Sequence, residues 1–340
     1  MSKILVTGGL GYIGSHVVVE LQNEGFEVII IDNLLNSSES VIKNIYEITG
    51  LKPDFEKIDL RNKSHLTSFF KKNTGIDGVI HFAASKSVAE SVANPLMYYE
   101  NNLNSLVHLL EGMRTLKLPK LIFSSSCTVY GEPEKLPVPE ESPIKKAESP
   151  YGTTKKIGEQ IIDDFCYHNS SFKSISLRYF NPIGAHSSVK IGELPITPPQ
   201  NLVPIITQTA IGKRDKLSIY GNDYNTKDGT CIRDYIHVVD LAKAHVISLK
   251  RLLEKKNSDN YEVFNIGTGK GTSVLELVNT FQKVTGVEFN YCFAPRRPGD
   301  ITSAYADTKK ANEILMWNAE LTIEDALLSA WKWEKILKIN

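Results

Sequence analysis

Tyr151 and Lys155 are the residues of this 340-residue sequence whose types and spacing best suit acid–base chemistry. They lie in the stretch SPYGTTK (149–155), four residues apart, so a helix places them on the same face, one turn apart. A tyrosine phenol titrates near pH 10, and acting as a base near neutral pH requires a pKa lower by about three units, roughly 4 kcal/mol. A neighbouring ammonium supplies part of that lowering. The spacing therefore predicts a tyrosine base supported by a lysine.

A second pair of the same form, Tyr305 and Lys309, shows that this spacing alone is a weak indication. Context favours the first pair, because it follows a predicted buried strand, LIFSSS (121–126), that runs into hydroxyl-bearing residues. Those residues are Ser124, Ser125, Ser126 and Thr128. Ser126 can hydrogen-bond a reacting hydroxyl and relay its proton. We therefore predict a catalytic set of Ser126 with the first pair, and surface packing for the second pair.

A capped helix start is the plainer explanation of SPYGTTK. Ser149 suits an N-cap, Pro150 suits the first helical position, and Tyr151 and Lys155 would then be exposed neighbours. The cap and the catalytic role are compatible, because they use different side chains. We expect both to be present.

A glycine-rich loop, VTGGLGYIGSH (6–16), follows the first predicted strand and opens a helix. Gly9, Gly11 and Gly14 fit the pattern G-x-G-x-x-G, and Gly8, Gly11 and Gly14 also fit G-x-x-G-x-x-G. Such glycines allow a tight turn and a close approach of the backbone to a pyrophosphate. The second strand ends at Asp32, whose carboxylate can accept both ribose hydroxyls of an adenosine and would repel a 2′-phosphate. The sequence therefore predicts a site for NAD rather than NADP.

NAD also bears on the chemistry of the tyrosine–lysine pair. The oxidised nicotinamide ring adds a second positive charge near the phenol, and the lysine can hydrogen-bond the nicotinamide ribose. Reduction of NAD removes that charge and makes the tyrosine a weaker acid. Proton transfer and hydride transfer are therefore expected to reinforce each other.

Short apolar runs and helical patterns alternate through the first half of the chain and must position these residues. The strand candidates are KILVTGG (3–9), EVIIID (27–32), GVIHFA (78–83), KLIFSSS (120–126) and SISLRYF (174–180), with FEKID (55–59) as a weaker one. Helical patterns lie near 13–24, 63–73, 95–117 and 152–169. This alternation predicts an α/β fold, a Rossmann-type doubly wound parallel sheet with helices on both faces.

The chain changes character after Phe180. Residues 181–204 are rich in proline and show little periodicity, and later segments mix short strands with helices. We therefore predict an NAD-binding domain over 1–180 and a smaller mixed α/β lobe over 181–340 that binds the substrate. Some segments, about 234–262, are expected to pack back on the first domain. The cleft between the lobes would lie beside the carboxyl ends of the first-half strands, where open α/β sheets bind ligands.

Composition and charge argue against several classes of function. Lys and Arg total 39, as do Asp and Glu, so there is no basic excess to attract nucleic acid or a membrane surface. Cys127, Cys166, Cys231 and Cys292 are scattered, without a C-x-x-C pair, so we expect reduced thiols and no metal site. No apolar stretch approaches the roughly 20 residues of a membrane span, and the N-terminus does not resemble a secretory signal. A cytoplasmic enzyme is the class we expect.

Three stretches, TGGLGYIG, SSSCTVYG and SPYGTTK, together resemble the extended short-chain dehydrogenase/reductase superfamily. Further stretches are similar to the UDP-glucose 4-epimerase family within it, in the same order along nearly the whole chain. They are HFAASKSVAESV (81–92), YYENN (98–102), RYFNPIGAH (178–186), NLVP (201–204), YGNDYNTKDGTCIRDYIHV (220–238) and APRRPGDI (294–301). The resemblance implies NAD-dependent inversion at C4 of a UDP-hexose through a transient 4-keto sugar, with Tyr151 exchanging the hydroxyl proton.

The resemblance also implies which residues surround the two ligands. Around NAD it points to Gly8, Gly11, Tyr12, Ile13, Gly14, Asp32, Asn33, Asn36, Ser37, Asp59, Leu60, Phe82, Ala83, Lys86, Asn101, Ser124, Tyr151, Lys155 and Tyr179. Around the UDP-sugar it points to Lys86, Ser126, Thr128, Tyr151, Asn181, Asn201, Leu202, Ser218, Tyr220, Arg233, Tyr235, Arg297, Asp300 and Ala304. Two arginines suit a pyrophosphate, because guanidinium groups bind phosphate oxygens in pairs.

Other members of the superfamily oxidise the same carbon and then carry out different chemistry. Sugar-nucleotide 4,6-dehydratases typically place an Asp-Glu pair directly after the serine strand, and decarboxylases place a glutamate there. This sequence has Cys127 and Thr128 at those positions, which favours simple epimerisation. Proteins of the same fold that bind a dinucleotide only as redox sensors usually lack the tyrosine–lysine pair, which this sequence has.

The identity of the sugar depends on one position in the stretch GDITSAYAD (299–307). In the family, the residue four positions after the GD aspartate lines the sugar pocket, and a small residue there admits N-acetylated sugars. Ala304 occupies that position, with Tyr305 next to it, so a shift of one residue would reverse the prediction. We therefore expect turnover of UDP-N-acetylglucosamine as well as UDP-glucose; an epimerase for UDP-N-acetylglucosamine alone or for a UDP-pentose is the alternative. The resemblance also implies a homodimer packed through the helices near 95–117 and 152–169.

Overall fold

The computed structural model describes residues 2–145, 147–195, 198–297 and 299–339. Its strands are β1 (Lys3–Thr7), β2 (Glu27–Asp32), β3 (Asp54–Lys57), β4 (Ile76–His81), β5 (Lys120–Ser124), β6 (Lys173–Tyr179), β7 (Asn181–Ile183), β8 (Leu217–Tyr220), β9 (Ile232–Arg233), β10 (Tyr235–His237), β11 (Tyr261–Ile266), β12 (Thr272–Ser273), β13 (Tyr291–Ala294) and β14 (Ser303–Ala304). Its α-helices are α1 (Tyr12–Asn23), α2 (Ser40–Thr49), α3 (Lys63–Lys72), α4 (Val88–Ala93), α5 (Pro95–Thr115), α6 (Pro150–His168), α7 (Leu202–Ala210), α8 (Val238–Leu253), α9 (Val274–Thr285) and α10 (Ile323–Ile339).

A seven-stranded parallel sheet forms the centre of the described structure, in the order β11–β6–β5–β4–β1–β2–β3. This order confirms the predicted fold class, a Rossmann-type doubly wound sheet, and the weaker strand candidate at 55–59 corresponds to β3. The strand order reverses at β1, so a crevice opens beyond the carboxyl ends of β1 and β4. The glycine loop follows β1, and residues 125–130, which we call the serine turn, follow β5. Both therefore lie at this edge of the sheet.

The strands are covered on both faces, which explains why they read as continuous apolar runs. Ile4 and Val6 of β1 contribute to the apolar core that α1, α2 and α8 cover. Leu5, between them, contributes to the opposite core, with α3, α5 and α6. This alternation of side chains within one strand fixes both layers of helices against the sheet.

Beyond β6 the chain builds another apolar core from α7, α9 and α10 with strands β7, β8 and β10. Small sheets pair β7 with β10, β8 with β13, and β9 with both β12 and β14. Helix α8 packs against α1, and β11 extends the central sheet next to β6. A domain boundary near residue 180 stays a prediction, because α8 and β11 follow residue 180 in the chain but pack on elements of the first half. None of the helices in the described residues is long and apolar enough to cross a membrane.

Candidate active site

Tyr151 and Lys155 lie on the first two turns of α6. Ser149 is the N-cap and accepts a hydrogen bond from the Gly152 amide at 3.2 Å, and Pro150 is the first helical residue. The expected helix cap is therefore confirmed. Tyr151 is only 7% exposed and Lys155 only 4%, so the plainer explanation, an exposed pair, is wrong. The fold thus removes both the Tyr151 phenol and the Lys155 ammonium from water, although a capped helix start does not require either side chain to be buried.

The ammonium of Lys155 is held at the end of β5. Its Nζ donates to the Ser124 carbonyl oxygen at 2.7 Å and lies 4.9 Å from the centre of the Phe123 ring. The Tyr151 ring centre is 5.9 Å from the same nitrogen. Burial lowers the pKa of Lys155 to about 8, and the carboxylate of Glu159, one turn further along α6, opposes that shift. Lys155 is therefore charged at neutral pH and titrates close to it.

Burial acts in the opposite direction on the phenol. It raises the pKa of Tyr151 well above the ordinary 10, and Tyr179 raises it further, while contact with Ser126 lowers it. We expected Lys155 to help lower this pKa. In the chain by itself burial is the dominant influence, and the ammonium donates to the Ser124 carbonyl oxygen. An additional positive charge in the crevice would favour the ionised phenol.

Ser126 lies two residues beyond the end of β5 and is the N-cap of a 3-10 turn, Cys127–Tyr130. Its Oγ accepts hydrogen bonds from the Thr128 amide at 3.2 Å and from the Thr128 hydroxyl at 3.0 Å. Because the oxygen accepts both of these bonds, its own proton is available for another group. Ser126 contacts Tyr151 as well, so it has the connections that a proton relay needs.

Ser124 and Tyr179, both expected beside the cofactor, lie together on the adjacent strands β5 and β6. Ser124 Oγ donates to the Tyr179 hydroxyl at 2.9 Å. Burial raises the pKa of Tyr179 to about 12, with a smaller lowering by the Ser124 hydrogen bond. Tyr179 is therefore neutral at physiological pH and supports the site without competing for the proton.

A buried ion pair behind α6 was not anticipated from the sequence. Arg178 Nη2 on β6 lies 2.7 Å from Glu159 Oε2, and Arg178 Nε donates to both carboxylate oxygens at 3.0 and 3.2 Å. Ser125 Oγ donates to the same carboxylate at 2.5 Å, and Arg178 Nη1 donates to the Tyr130 hydroxyl at 2.9 Å. These contacts join α6, β5, β6 and the serine turn. The position of Glu159, four residues after Lys155, was the only local indication of its role.

The glycine loop has the shape that a dinucleotide phosphate requires. Gly8 has a φ of +71°, which favours glycine, and a Cβ there would lie 2.8 Å from the Ala83 nitrogen. A Cβ on Gly14 would overlap the Gly8 carbonyl oxygen, because α1 crosses directly over the loop. Helix α1 begins at Tyr12 with neither a side-chain cap nor an acidic residue in its first turn. Its amide groups and positive dipole end therefore fit an anionic phosphate.

Asp32, at the end of β2, faces the same loop and is buried. Its Oδ2 accepts from the Leu10 amide at 3.1 Å, and its Oδ1 accepts from the Leu34 amide at 3.0 Å and the Ser37 hydroxyl at 2.8 Å. A cavity next to these residues is lined by Gly11, Tyr12, Asn36 and Ser37, and by Gly192 and Trp333 from the second half. The adenosine end of a dinucleotide fits this position.

Asp59 follows β3 and lies beside Asn33, whose Nδ2 is 3.4 Å from Asp59 Oδ2. Arg61 donates to the Asp59 carboxylate from Nε and Nη2 at 2.7 to 3.1 Å, and this interaction lowers the pKa of Asp59. Leu60 is buried in the core between them and the sheet. Asn33, Asp59 and Leu60, all expected around NAD, therefore lie together next to β2 and β3.

Residues after β4 form the opposite wall of the crevice. The Phe82 amide donates to the Thr7 carbonyl oxygen at 2.9 Å, which brings Ala83 against Gly8. Asn101 Nδ2 donates to Ser85 Oγ at 3.1 Å from helix α5. Ile13, on the first turn of α1, packs on the apolar core below the crevice.

Lys86 connects this wall to the second half of the chain. Its Nζ lies 3.3 Å from Glu193 Oε1 and 5.8 Å from the Tyr12 ring centre. Asn201, the N-cap of α7, donates to the same Glu193 oxygen at 2.6 Å, and Leu202 begins that helix. Sequence reasoning missed Glu193, because its partners lie far from it in the chain.

Asp300 brings two arginines together on the second half. Arg297 donates to the Asp300 carboxylate from Nε at 2.9 Å and from Nη2 at 3.1 Å. Arg233 Nη2 lies 4.0 Å from the same carboxylate, and the Arg297 guanidinium lies 4.9 Å from the Tyr220 ring centre. These four predicted residues therefore form one cluster. Two cations against one anion leave it a net positive charge, which suits a pyrophosphate.

Three further residues expected around the nucleotide lie on strands of the second half. Asn181 of β7 and Tyr235 of β10 are paired in register, and Tyr235 is buried. Ser218 lies in the middle of β8, two residues before Tyr220. The second half therefore carries these residues on regular elements rather than on loops.

Ala304 and Tyr305 point to different sides of the chain at the end of β14. Ala304 is buried in an apolar cluster with Phe180, against which Cys127 packs. The ring of Tyr305 instead lies over Gly271, where an added Cβ would come within 2.9 Å of it. Ala304 is thus on the side of the serine turn. Burial raises the pKa of the Cys127 thiol to about 12, so this cysteine is an inert neighbour of that cluster.

Comparison with known proteins gives concordant matches over nearly the whole chain. The sequence profile described as GDP-mannose 4,6 dehydratase matches residues 5–329. UDP-glucose 4-epimerase of Bacillus subtilis (strain 168) is 49% identical over 97% of this chain and 96% of its own. A crystal structure of UDP-glucose-4-epimerase from Stenotrophomonas maltophila, with bound NAD and formylated UDP-arabinopyranose, superposes with a TM-score of 0.96 at 42% identity, covering 100% of this chain and 99% of that one. UDP-glucose 4-epimerase from Bifidobacterium longum, in complex with NAD+ and UDP, gives a TM-score of 0.94 at 45% identity, covering 98% of both chains.

Proposed function

Because the chain belongs to the UDP-glucose 4-epimerase family of the extended short-chain dehydrogenase/reductase superfamily, we propose that it interconverts the C4 epimers of UDP-hexoses with NAD as cofactor. The observation that carries this proposal is the buried set of Tyr151, Lys155 and Ser126 at the carboxyl edge of the sheet. The glycine loop lies at the same edge, and the arginine cluster lies on the second half of the chain. The glycine loop would thus hold the cofactor, the Tyr151 set would face the reacting carbon, and the arginine cluster would bind the nucleotide.

The chemistry at C4 is a reversible oxidation of the sugar hydroxyl. When bound, NAD supplies the acceptor and donor for the C4 hydride. Tyr151 takes the hydroxyl proton as the 4-keto sugar forms and returns it when the opposite face of the sugar is reduced. Ser126 hydrogen-bonds the reacting oxygen and relays its proton to the phenolate oxygen of Tyr151. Because each cycle ends where it began, no co-substrate is consumed.

Lys155 has two roles in this scheme. Its ammonium is fixed by the Ser124 carbonyl, which holds it beside the expected nicotinamide ribose. Its positive charge also favours the ionised form of Tyr151. Burial raises the pKa of Tyr151, and the positive charge of the oxidised cofactor in the crevice would favour the ionised phenol. Proton removal is thereby favoured in the complex that can also accept a hydride.

The proposed reaction requires the UDP moiety to be held firmly while the 4-keto sugar rotates and presents its opposite face. Arg233 and Arg297 can bind the diphosphate in pairs of hydrogen bonds, with Asp300 orienting both side chains. Tyr220, 40% exposed beside Arg297, provides a face for the uridine end. Ala304 and Phe180 belong to a buried apolar cluster, so a sugar bound beside them would find few hydrogen bonds that hold one of its faces.

Epimerisation is favoured over dehydration despite the name of the matching profile. A 4,6-dehydratase needs carboxyl groups directly after the serine strand for the elimination step. Cys127 and Thr128 occupy that turn, and the raised pKa of Cys127 makes it a poor acid–base group. The 49% identity to the Bacillus subtilis UDP-glucose 4-epimerase over 97% of this chain supports the same choice. A non-catalytic dinucleotide sensor would have no use for the buried tyrosine–lysine pair.

We also propose N-acetylated UDP-hexoses as a second class of substrate. Ala304 is on the serine-turn side of β14, and the bulky ring of Tyr305 is turned towards Gly271. This arrangement supports the register in which a methyl group, rather than a phenol, borders the sugar. UDP-N-acetylglucosamine and UDP-N-acetylgalactosamine therefore fit the proposed pocket.

The assembly we propose is a homodimer formed through α5 and α6, which pack side by side. Tyr167 on α6 is 81% exposed and Val107 on α5 is 39% exposed, so both helices present apolar surface outwards. We place the enzyme in the cytoplasm, where its four unpaired cysteines would stay reduced.

Proton NMR of the anomeric region tests the proposed reaction. Purified protein is incubated separately with UDP-glucose and UDP-N-acetylglucosamine, first without added NAD and then with it. Galacto-configured product from both substrates supports the epimerase, and product without added NAD indicates retained cofactor. Product from UDP-glucose alone rejects the acetylated substrates, and no product under any condition rejects the proposed function.

A further inference from the structure

One carboxylate oxygen joins the two halves of the ligand crevice. Glu193 Oε1 lies 3.3 Å from Lys86 Nζ, which follows β4 on the first half. The same oxygen accepts a hydrogen bond of 2.6 Å from Asn201 Nδ2, at the start of α7 on the second half. The Glu193 side chain is 14% exposed, and that of its partner Lys86 is 47% exposed. The Lys86 ammonium and the Asn201 side-chain amide, from opposite walls of the crevice, therefore both contact Glu193 Oε1.

The position of Glu193 is itself fixed. Its carbonyl oxygen accepts a hydrogen bond from Trp333 Nε1 at 2.9 Å. On the other side, its carboxylate faces Tyr12, whose hydroxyl donates to the Gly184 carbonyl oxygen at 2.7 Å. Lys86 is the cation and Tyr12 the neutral phenol that face this carboxylate. A displacement of the Glu193 carboxylate towards Lys86 or Tyr12 would therefore alter its contact with the other of these two residues.

A second contact crosses the crevice right beside the first. Ser87 Oγ donates to the side-chain oxygen of Gln200. Ser87 is next to Lys86, and Gln200 is next to Asn201, so two successive residues of each wall are tied together. The walls thus meet at a defined register, with Glu193 supplying the charged contact.

We propose that Glu193 is a positioning residue that couples the UDP-binding side to the cofactor-pyrophosphate side, an inference that rests on the proposed function. Its carboxylate balances the Lys86 charge and orients the Asn201 amide. Removal of Lys86 leaves the carboxylate unpaired close to the nucleotide diphosphate, which weakens UDP binding by repulsion. Lys86 therefore acts on UDP through Glu193, and its effect depends on the charge of that residue.

A double-mutant cycle on UDP affinity tests this coupling. Binding of UDP is measured by calorimetry for wild type, Lys86→Met, Glu193→Gln and the double variant, with NAD added to equal occupancy. Lys86→Met should weaken UDP binding about fivefold in the wild-type background and less than about twofold in the Glu193→Gln background, since residues of one network are non-additive. Equal losses in both backgrounds overturn the proposal, because Lys86 would then act on UDP directly.

A matched control uses an ion pair between Glu47 on α2 and the stretch of chain just before Glu193. Glu47→Gln removes the ion pair with Lys190, three residues before Glu193, and leaves Lys86 and Asn201 in place. It should leave the Lys86→Met effect on UDP affinity at its wild-type size. A cycle that pairs Lys86→Met with Asn201→Ala reports the same coupling without altering Glu193, and additivity there also overturns the proposal.

Activity separates this inference from the proposed function. Wild-type protein that neither binds UDP nor turns over UDP-glucose overturns both. Active wild-type protein with additive cycles overturns only the coupling through Glu193. The KM for UDP-glucose should rise in Glu193→Gln by about the same factor as the UDP dissociation constant, with kcat changed less, whereas a change in kcat alone contradicts a positioning role in binding.

Discussion

The Lys155 ammonium donates to the backbone carbonyl of Ser124 at 2.7 Å, joining helix α6 to the last residue of β5. The bond holds a buried cation between the phenol of Tyr151 and the turn that begins at Ser126. Because the acceptor is a backbone atom, no substitution of the Ser124 side chain removes the acceptor. The geometry of the proposed proton relay thus depends on how the helix docks against the sheet.

Replacing Tyr151 with Phe should abolish catalysis and spare binding. The variant keeps the buried ring but loses the proton acceptor, so kcat should fall by about 10²–10⁴-fold, the usual contribution of general acid–base catalysis. Calorimetric UDP affinity should stay within about twofold. Tyr305→Phe is the matched control, because Tyr305 has the same spacing to a lysine and packs over Gly271. Comparable losses in both variants would contradict the assignment.

The lowered pKa of Lys155 predicts a rise in stability with pH. The folded chain releases this proton near pH 8, whereas the unfolded chain holds it to about pH 10.5, so the unfolded state binds more protons in between. The burial penalty is therefore complete below pH 8 and is relieved as pH rises. Between about pH 8 and pH 9.5, wild type should gain about 1.5 kcal/mol relative to Lys155→Met.

Urea unfolding of both proteins, without added cofactor, measures this difference. The Lys155→Met variant supplies the control, since every other titrating group is shared. A stability difference that stays constant over this pH range would show that Lys155 keeps an ordinary pKa in the fold.

Removing the buried carboxylate behind α6 should reduce both stability and turnover. Glu159→Gln leaves Arg178 without its counter-ion, and breaking such a buried pair costs about 3–5 kcal/mol. The kcat should fall by about tenfold or more, because α6 carries Tyr151 and small displacements of reacting groups are costly. Glu262→Gln, which breaks the similarly shielded pair with Arg251 away from α6, should lower stability and leave kcat unchanged. Equal kcat values in the two variants would argue against a positioning role for Glu159.

Ala304→Tyr should make the enzyme selective for sugars that lack an acetamido group. A phenol at this position, next to Phe180 and Cys127, would occupy the room that the proposed pocket leaves for the acetamido group, so turnover of UDP-N-acetylglucosamine should fall by about 100-fold or more. Turnover of UDP-glucose should change by less than about threefold. Tyr305→Ala tests the register and should leave the ratio of the two activities unchanged. A change of that ratio with Tyr305→Ala would place position 305 in the pocket instead.

Local features of this protein could be predicted because short stretches of sequence determine them. Gly8 adopts a positive φ that few other residues tolerate, and Ser149 with Pro150 starts α6 as their types require. The continuous apolar strands predicted a sheet covered on both faces, and the doubly wound order followed. Each of these depends on neighbours within a few residues or on a repeating pattern.

Contacts between distant parts of the chain escaped prediction. Glu159 meets Arg178 only because α6 packs on β6, and Glu193 meets Lys86 only where the two halves approach each other. No spacing in the sequence records such a meeting, since it depends on the path of the whole chain.

The sequence by itself determined the fold class, the glycine loop, the capped helix and the tyrosine–lysine pair, all of which follow from local sterics and hydrophobic pattern. Only the tertiary structure decided the protonation behaviour of that pair. Desolvation sums over every group that surrounds a side chain, so burial raises the pKa of Tyr151 and lowers that of Lys155. It also decided which side of β14 Ala304 occupies, because strand pairing, rather than composition, sets the direction of each side chain.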